Sequence, residues 1–136
     1  MLGNKAAHAL ADCSWLNQAD YLLPVPLADK RMKERGYNQA ERLAFGLSEV
    51  SRVPMLADAL LRTKDTATQT SLHLTERMEN VRGAFTVSDA GRLQGCNVVL
   101  IDDVLTTGAT MRSCVQTLSS IPEIEIHVLT LCFAMI

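Results

Sequence analysis

Aromatic residues are scarce in this chain: one Trp, two Tyr and three Phe among 136 residues. That composition does not announce a protein that tracks single strands through many stacking platforms. The net charge of −2 likewise excludes a strongly basic shell around a polyanion. Cys13, Cys96, Cys114 and Cys132 are far apart, and no Cys-x-x-Cys pair exists. Neighbouring cysteines therefore build neither a zinc ribbon nor a redox pair, and free thiols in a reducing compartment are expected. His8, His73 and His127 are scattered without metal-ligand spacing. The nucleotide loops G-x-x-x-x-G-K-[ST] and G-x-G-x-x-G are both absent. The longest apolar run, Val128–Ile136, is far short of the ~20 residues that span a bilayer, so no membrane insertion is expected. Met1–Leu10 lacks the apolar stretch of a signal peptide, and the expectation is a soluble, cytoplasmic protein.

What is present fits one folded domain over residues 1–136. Hydrophobic residues make up 48% and charged residues 21%, and a domain of this size buries roughly two-thirds of its unfolded surface. Apolar spacing predicts a short helix over Ala6–Leu16 and an amphipathic one over Asn38–Val50, with Ala40, Leu43, Ala44, Leu47 and Val50 on one face. Asp20–Leu27 reads as a strand that stops near Pro24, because proline cannot donate to a sheet ladder. Pro54–Leu61 and Gly83–Val87 are further strand candidates, and Arg62–His73 is a polar loop followed by a helical Thr75–Val81. The clearest element is Asn97–Asp103, a β-branched run suited to a strand buried on both faces. A helix over Gly108–Ser119 and a strand over Glu125–Phe133 complete the chain. Alternating strands and helices predict a three-layer α/β fold, a mainly parallel sheet with helices on both faces.

The informative segment is Val98-Val99-Leu100-Ile101-Asp102-Asp103-Val104-Leu105-Thr106-Thr107-Gly108-Ala109-Thr110. Two carboxylates stand at the carboxyl end of a buried strand, the edge where open α/β sheets bind ligands. Ribose hydroxyls are donors and carboxylates accept them, which suits Asp102 and Asp103 to a sugar. Thr106, Thr107, Gly108, Ala109 and Thr110 then lead into a helix whose first amides point at an anion. Glycine admits close backbone approach and threonine hydroxyls donate to phosphate oxygens. Acceptors for a sugar followed by donors for its phosphate suit a ribose 5-phosphate. Capping alone would account for Thr or Asp singly, but not for this ordered set.

A second feature is Lys30-Arg31-Met32-Lys33-Glu34-Arg35, four cations in six residues directly after the loop Pro24-Val25-Pro26. Placed at the end of the first strand, Pro26, Arg31 and Arg35 are candidates for holding a pyrophosphate, since arginine grips such groups bidentately. A solvated basic face and contact with a nucleic-acid backbone are the other readings of these charges.

These residues carry a resemblance. VVLIDDVLTTGAT resembles the 5-phosphoribosyl 1-pyrophosphate (PRPP) signature of type I phosphoribosyltransferases. YLLPVPLADKRMKERGYNQAERLA is similar to the corresponding segment of the ComF family, also called amidophosphoribosyltransferase-like. Arg62, Gln69, Arg77, Asn80-Val81 and Gly83-Ala84-Phe85 continue the likeness, which runs from about Asp20 to Phe133. It implies a phosphoribosyltransferase fold, ribose on Asp102 and Asp103, the 5-phosphate on Thr106–Thr110, and Mg²⁺ held through PRPP with help from the two aspartates, the protein alone forming no metal site. It implies further that Arg62, Lys64, Gln69 and Arg77 belong to a loop closing over the site. Arg77 is alternatively a surface partner of Glu76 or Asp58. Lastly, it associates the chain with DNA uptake in natural transformation.

Two departures from the resemblance matter. The cysteine-rich zinc-binding segment that commonly precedes this region in ComF-like proteins has no counterpart here, so no zinc is assigned. Thr106 stands where purine phosphoribosyltransferases carry an acidic residue, which leaves no evident general base and no catalytic residue to name. The motif speaks more strongly for PRPP binding than for turnover. Three uses remain open: phosphoribosyl transfer to an unnamed acceptor, a non-catalytic module holding single-stranded DNA or DNA-uptake proteins with Tyr37 as a stacking residue, and PRPP sensing. Pairing into a homodimer is open to so small a domain.

Overall fold

The computed structural model describes residues 2–63 and 84–135, and the elements are numbered along these residues. After β1 (Tyr21–Pro24), whose end falls at the expected proline, the next strands of its sheet are β4 (Asn97–Leu105) and β5 (Glu125–Phe133). They form a parallel sheet in the order β1-β4-β5, with Tyr21 beside Val98 and Asn97 beside Glu125. β4 runs two residues beyond the expected Asp103, because Val104 and Leu105 continue to pair with Cys132 and Phe133. The three-layer, mainly parallel α/β reading is thereby borne out.

The β-branched run of β4 builds the layers. Val98, Val99, Leu100 and Ile101 are all 0% exposed, and complete burial of each such side chain is worth about 1.5–3 kcal/mol. Side chains alternate across a strand. Val98 and Leu100 accordingly pack with Met111, Cys114 and Leu118 of helix α6 (Ala109–Leu118). Val99 and Ile101 pack with Leu43, Ala44 and Leu47 of helix α4 (Gln39–Ser51). The apolar stripe read from residues 38–50 is this inner face, and Asn38 caps the helix by accepting the Ala40 N–H at 3.0 Å.

Three expectations need correction. The chain over Ala6–Leu16 is two helices, α1 (Leu2–Ala9) and α2 (Ser14–Asn17), parted by a turn. The Asn17 amide donates to the Ala11 carbonyl at 3.2 Å across that turn, and both Ala7 and Leu16 reach the core beneath β4. Pro54–Leu61 is not one strand. Met55 makes a single parallel bridge to Leu22, and a strand begins only at Leu60, as β2 (Leu60–Arg62). β2 pairs antiparallel with β3 (Phe85–Val87) as a separate two-stranded sheet over the α6 side, so these strands do not extend the parallel sheet. The cationic run itself is helical, α3 (Asp29–Arg35), ended by Gly36 at φ 75°, the left-handed conformation that favours glycine. A short helix α5 (Ala90–Leu93), capped by Asp89, had no expectation at all. The expected helix at Thr75–Val81 lies outside the described residues.

α1 lies against α4 closely enough for backbones to touch. A Cβ on Gly3 would sit 2.7 Å from the Leu43 carbonyl oxygen, and one on Gly46 would sit 2.7 Å from the Gly3 Cα. No helix among the described residues is long and apolar enough to cross a membrane.

Candidate functional site

Beyond the carboxyl ends of β1 and β4 lies an open cavity of about 420 Å³. Residues remote in sequence meet in its walls: Pro26, Arg31, Arg35, Arg62, Asp102, Asp103 and the continuous stretch Thr106–Thr110. Every candidate site residue that the structure describes is in this set. Lys64, Gln69 and Arg77 lie outside the described residues.

The local sequence explains how each wall forms. Pro24 ends β1, and the Val25 N–H donates to the Ile101 carbonyl at 2.8 Å, carrying the chain across the strand ends. α3 follows with none of its residues buried, and Arg31 and Arg35 are four residues apart and hence on one face. The Asn38 side chain links this wall to the rest: its amide donates to the Val25 carbonyl at 3.0 Å while its oxygen caps α4. Arg35 Nη1 donates to Gln39 Oε1 at 2.8 Å. Asn38 and Gln39 both line the cavity. Sequence reasoning quoted them within a motif and gave neither a role, although an Asn immediately before an amphipathic helix signals a cap.

Asp102 and Asp103 lie within β4, just before its last two residues, where neighbouring side chains alternate in direction, and both line the cavity. Asp102 Oδ1 accepts the Asp103 N–H at 2.9 Å. Burial pushes the Asp102 carboxyl up to about 7, and a side-chain hydrogen bond with Asp103 and the Asp103 charge add to the rise. The Asp103 N–H and the Arg62 cation pull the other way without overcoming it. Arg62 ends β2 with its guanidinium 4.8 Å from the Phe85 ring centroid, a cation–π contact that fixes it in the wall. Beneath the site, burial raises the Cys114 thiol to about 12, which leaves it an inert packing group.

The loop before α6 turns tightly into the helix. Gly108 sits at φ 79° as the helix N-cap, and Thr107 Oγ1 accepts the Ala109 N–H at 3.3 Å. The other first-turn amides have no intrahelical partner, the ordinary condition of a helix start. The cavity thus gathers donors for an anion, two carboxylates and guanidinium groups. A sugar bearing two anionic groups is the kind of ligand that matches such a set. Among the described residues no group of three or more His, Cys, Asp and Glu could enclose a metal. His127 is occupied elsewhere, stacked on Trp15 at 5.8 Å and touching Glu125 at 2.9 Å.

Comparisons with known proteins agree with this fold. The phosphoribosyl transferase domain family matches residues 23–135. Competence protein F of Haemophilus influenzae is 35% identical over 114 residues, which are 83% of this chain and 50% of that protein. The DNA utilization protein YhgH of Escherichia coli strain K12 is 34% identical over 117 residues, 86% of this chain and 51% of that one. The chain therefore spans about half the length of these curated relatives. Among solved structures, the glutamine PRPP amidotransferase of B. subtilis superposes with a TM-score of 0.60 at 24% identity, covering 95% of this chain and 25% of the other. A purine phosphoribosyltransferase from Pyrococcus horikoshii gives 0.56 at 17% identity, covering 97% and 80%. At these identities the two structures speak for the fold alone.

Proposed function

This chain belongs to the phosphoribosyl transferase domain family, and from that premise we propose that it binds PRPP with Mg²⁺ and transfers the phosphoribosyl group to an acceptor in the service of DNA uptake. One observation carries the reading: three sequence-remote segments, 26–35, Arg62 and 102–110, converge on one cavity and gather there guanidinium groups, two carboxylates and the start of a helix. The competence and DNA-utilization names of the relatives support the cellular role, and the cytoplasm is where PRPP would meet such a protein.

In this reading the Thr106–Thr110 loop and the start of α6 hold the 5-phosphate. Asp102 and Asp103 accept the ribose hydroxyls and so orient the anomeric carbon. Arg31 and Arg35 face the pyrophosphate, whose negative charge grows as the C–O bond breaks, and their fixed positive charge lowers the energy of that separation. A nucleophile on the acceptor forms the new bond at the anomeric carbon as pyrophosphate departs with the bonding electrons. The donor set fits Mg²⁺: two adjacent carboxylates with no third ligand suit an ion that arrives on substrate phosphates and keeps several waters. Bound there by PRPP, with Asp102 and Asp103 at hand, the ion would neutralise charge on the leaving pyrophosphate.

Calorimetry of PRPP binding with and without Mg²⁺ tests the proposal, on the wild type and on the Asp102→Asn/Asp103→Asn double variant. Magnesium-dependent binding that the variant loses is expected. A folded wild type that does not bind PRPP would overturn the reading.

A second reading has a specific observation behind it. Tyr37, 39% exposed, and Phe45, 48% exposed, stand on one surface, with Arg42 4.5 Å above the Tyr37 ring. Lys30 and Lys33 are exposed on the neighbouring α3. Rings beside cations are what a single-stranded nucleic acid uses, and a steep loss of oligonucleotide affinity with salt would favour a binding module.

A further inference from the structure

Helix α4 turns one stripe of its outer face to solvent: Arg42, Phe45 and Glu49 are all exposed, at spacings i, i+3 and i+7. Phe45 borders a shallow groove of about 390 Å³ that is lined also by Met32, Tyr37 and Met55. Large apolar side chains gathered in one exposed patch mark an interaction surface. We propose that this α3/α4 face is where a second copy of the chain docks, two α4 helices packing antiparallel across a twofold axis, with Phe45 of each entering the groove of the other.

The charges select a second copy as the occupant. Arg42 lies one turn before Phe45 and Glu49 one turn after it, with opposite signs. A twofold axis passing between residues 45 and 46 sets Arg42 of each helix opposite Glu49 of the other. Both pairs then form at once, on either side of the two Phe45 rings, and no like charges fall opposite one another along α4. Arg42 is already held within the groove lining, its guanidinium 4.5 Å from the Tyr37 ring centroid. A polyanion laid on the same face would meet Glu41 and Glu49 as well as Arg42, which sets it behind a second copy.

Helix α3 gives an independent reason for a cover. None of its seven residues is buried, and a helix of that length is marginal in water unless something packs on it. Met32, 41% exposed, is the one apolar side chain of α3 and lines the groove. Phe45 of the second copy seats against Met32 and Tyr37 and supplies the packing that α3 lacks within its own chain. The same helix places Arg31 and Arg35 in the wall of the cavity at the strand ends, so docking braces that wall from outside.

Sedimentation equilibrium of the full chain at rising concentration tests the interface, on the wild type and on Phe45→Asp, Arg42→Glu, Glu49→Arg and the two charge reversals combined. All three positions are exposed, so each variant should keep the wild-type circular dichroism. The wild type is expected to dimerise at concentrations up to about 100 µM, the order for a contact of this small size. Phe45→Asp should stay monomeric. Each single reversal opposes like charges at both symmetric positions and should weaken dimerisation ~10-fold, and the combined reversal should recover most of that loss. A wild type that stays monomeric overturns the interface. So does a dimer that survives Phe45→Asp, or one that the combined reversal weakens as much as the single reversals do together. A monomer that binds a labelled single-stranded oligonucleotide, and loses it in Phe45→Asp, overturns the interface in favour of a nucleic-acid face.

Discussion

Asp102 and Asp103 are bound to each other, the Asp102 carboxylate accepting the Asp103 backbone N–H at 2.9 Å. Adjacent carboxylates at the mouth of a buried strand repel, and this contact offsets part of the repulsion. Burial and the second carboxylate nevertheless leave Asp102 titrating at about 7 instead of near its ordinary value of 3.8. A group in the wall of the cavity thus changes charge close to neutrality.

Affinity for PRPP with Mg²⁺ is therefore expected to rise between pH 6 and pH 8. A group titrating near 7 goes from about one-tenth to about nine-tenths ionised over that interval, so a gain of up to ~10-fold follows if only the carboxylate accepts the ribose hydroxyl. Calorimetry across the interval measures it. In Asp102→Asn the rise should disappear, and a rise of undiminished size in that variant would place the titration elsewhere.

Folding stability should respond with the opposite sign. Because the folded state raises the Asp102 value, it holds a proton that the unfolded chain has already released between about pH 4 and pH 7, and stability falls as pH climbs through that window. Asp102→Asn, which stays neutral, should gain on the wild type through the window and hold a constant advantage above it. Solvent screening at this part-exposed site reduces the effect to ~1 kcal/mol, about 3–5 °C in melting temperature at pH 8. Thermal melts at pH 4 and pH 8 decide it, with near-equality expected at the lower value.

The cavity wall made by α3 depends on Asn38, which caps α4 and holds the Val25 carbonyl. Asn38→Ala should cost about 1 kcal/mol of stability from the lost cap. It should also weaken pyrophosphate binding more than it weakens binding of inorganic phosphate at the 106–110 loop. Equal losses for both ligands would mean that the residue acts through stability alone.

Gly108→Val tests the anion loop. The left-handed backbone at φ 79° costs a non-glycine residue about 1–2 kcal/mol, and a β-branched one more. A lower melting temperature together with lost phosphate affinity is the expected outcome. Unaltered phosphate affinity would remove the loop from the site.

Where one periodicity or one steric rule dominates, the sequence was easy to read. β4 shows four β-branched or branched apolar residues in a row and nothing that competes, and Pro24 can only end its strand. The DD-V-L-T-T-G-A-T order places ligand chemistry at a strand end without reference to the rest of the fold. Other parts depended on tertiary contacts. Leu10 and Cys13 keep the helical spacing of their neighbours, so the turn between α1 and α2 is invisible until the Asn17 amide is seen bonding Ala11. The charges of α3 masked a helix whose one local signal was Gly36 at its end. Gln39 and Val104 became site residues only because β4 and α4 meet there.

The glycine crossing of α1 and α4 carries a mechanical consequence. Gly46 stands near the middle of a rod whose first turn bears Gln39 and the cap that ties down the arginine wall. With Gly3 wedged against that midpoint, neither backbone has room for even one methyl group. Enlarging residue 3 would tip the rod about its centre and swing its ligand-facing end. Tolerance for size at residue 3, 95 positions before Val98, is thereby governed by the alignment of the arginine wall.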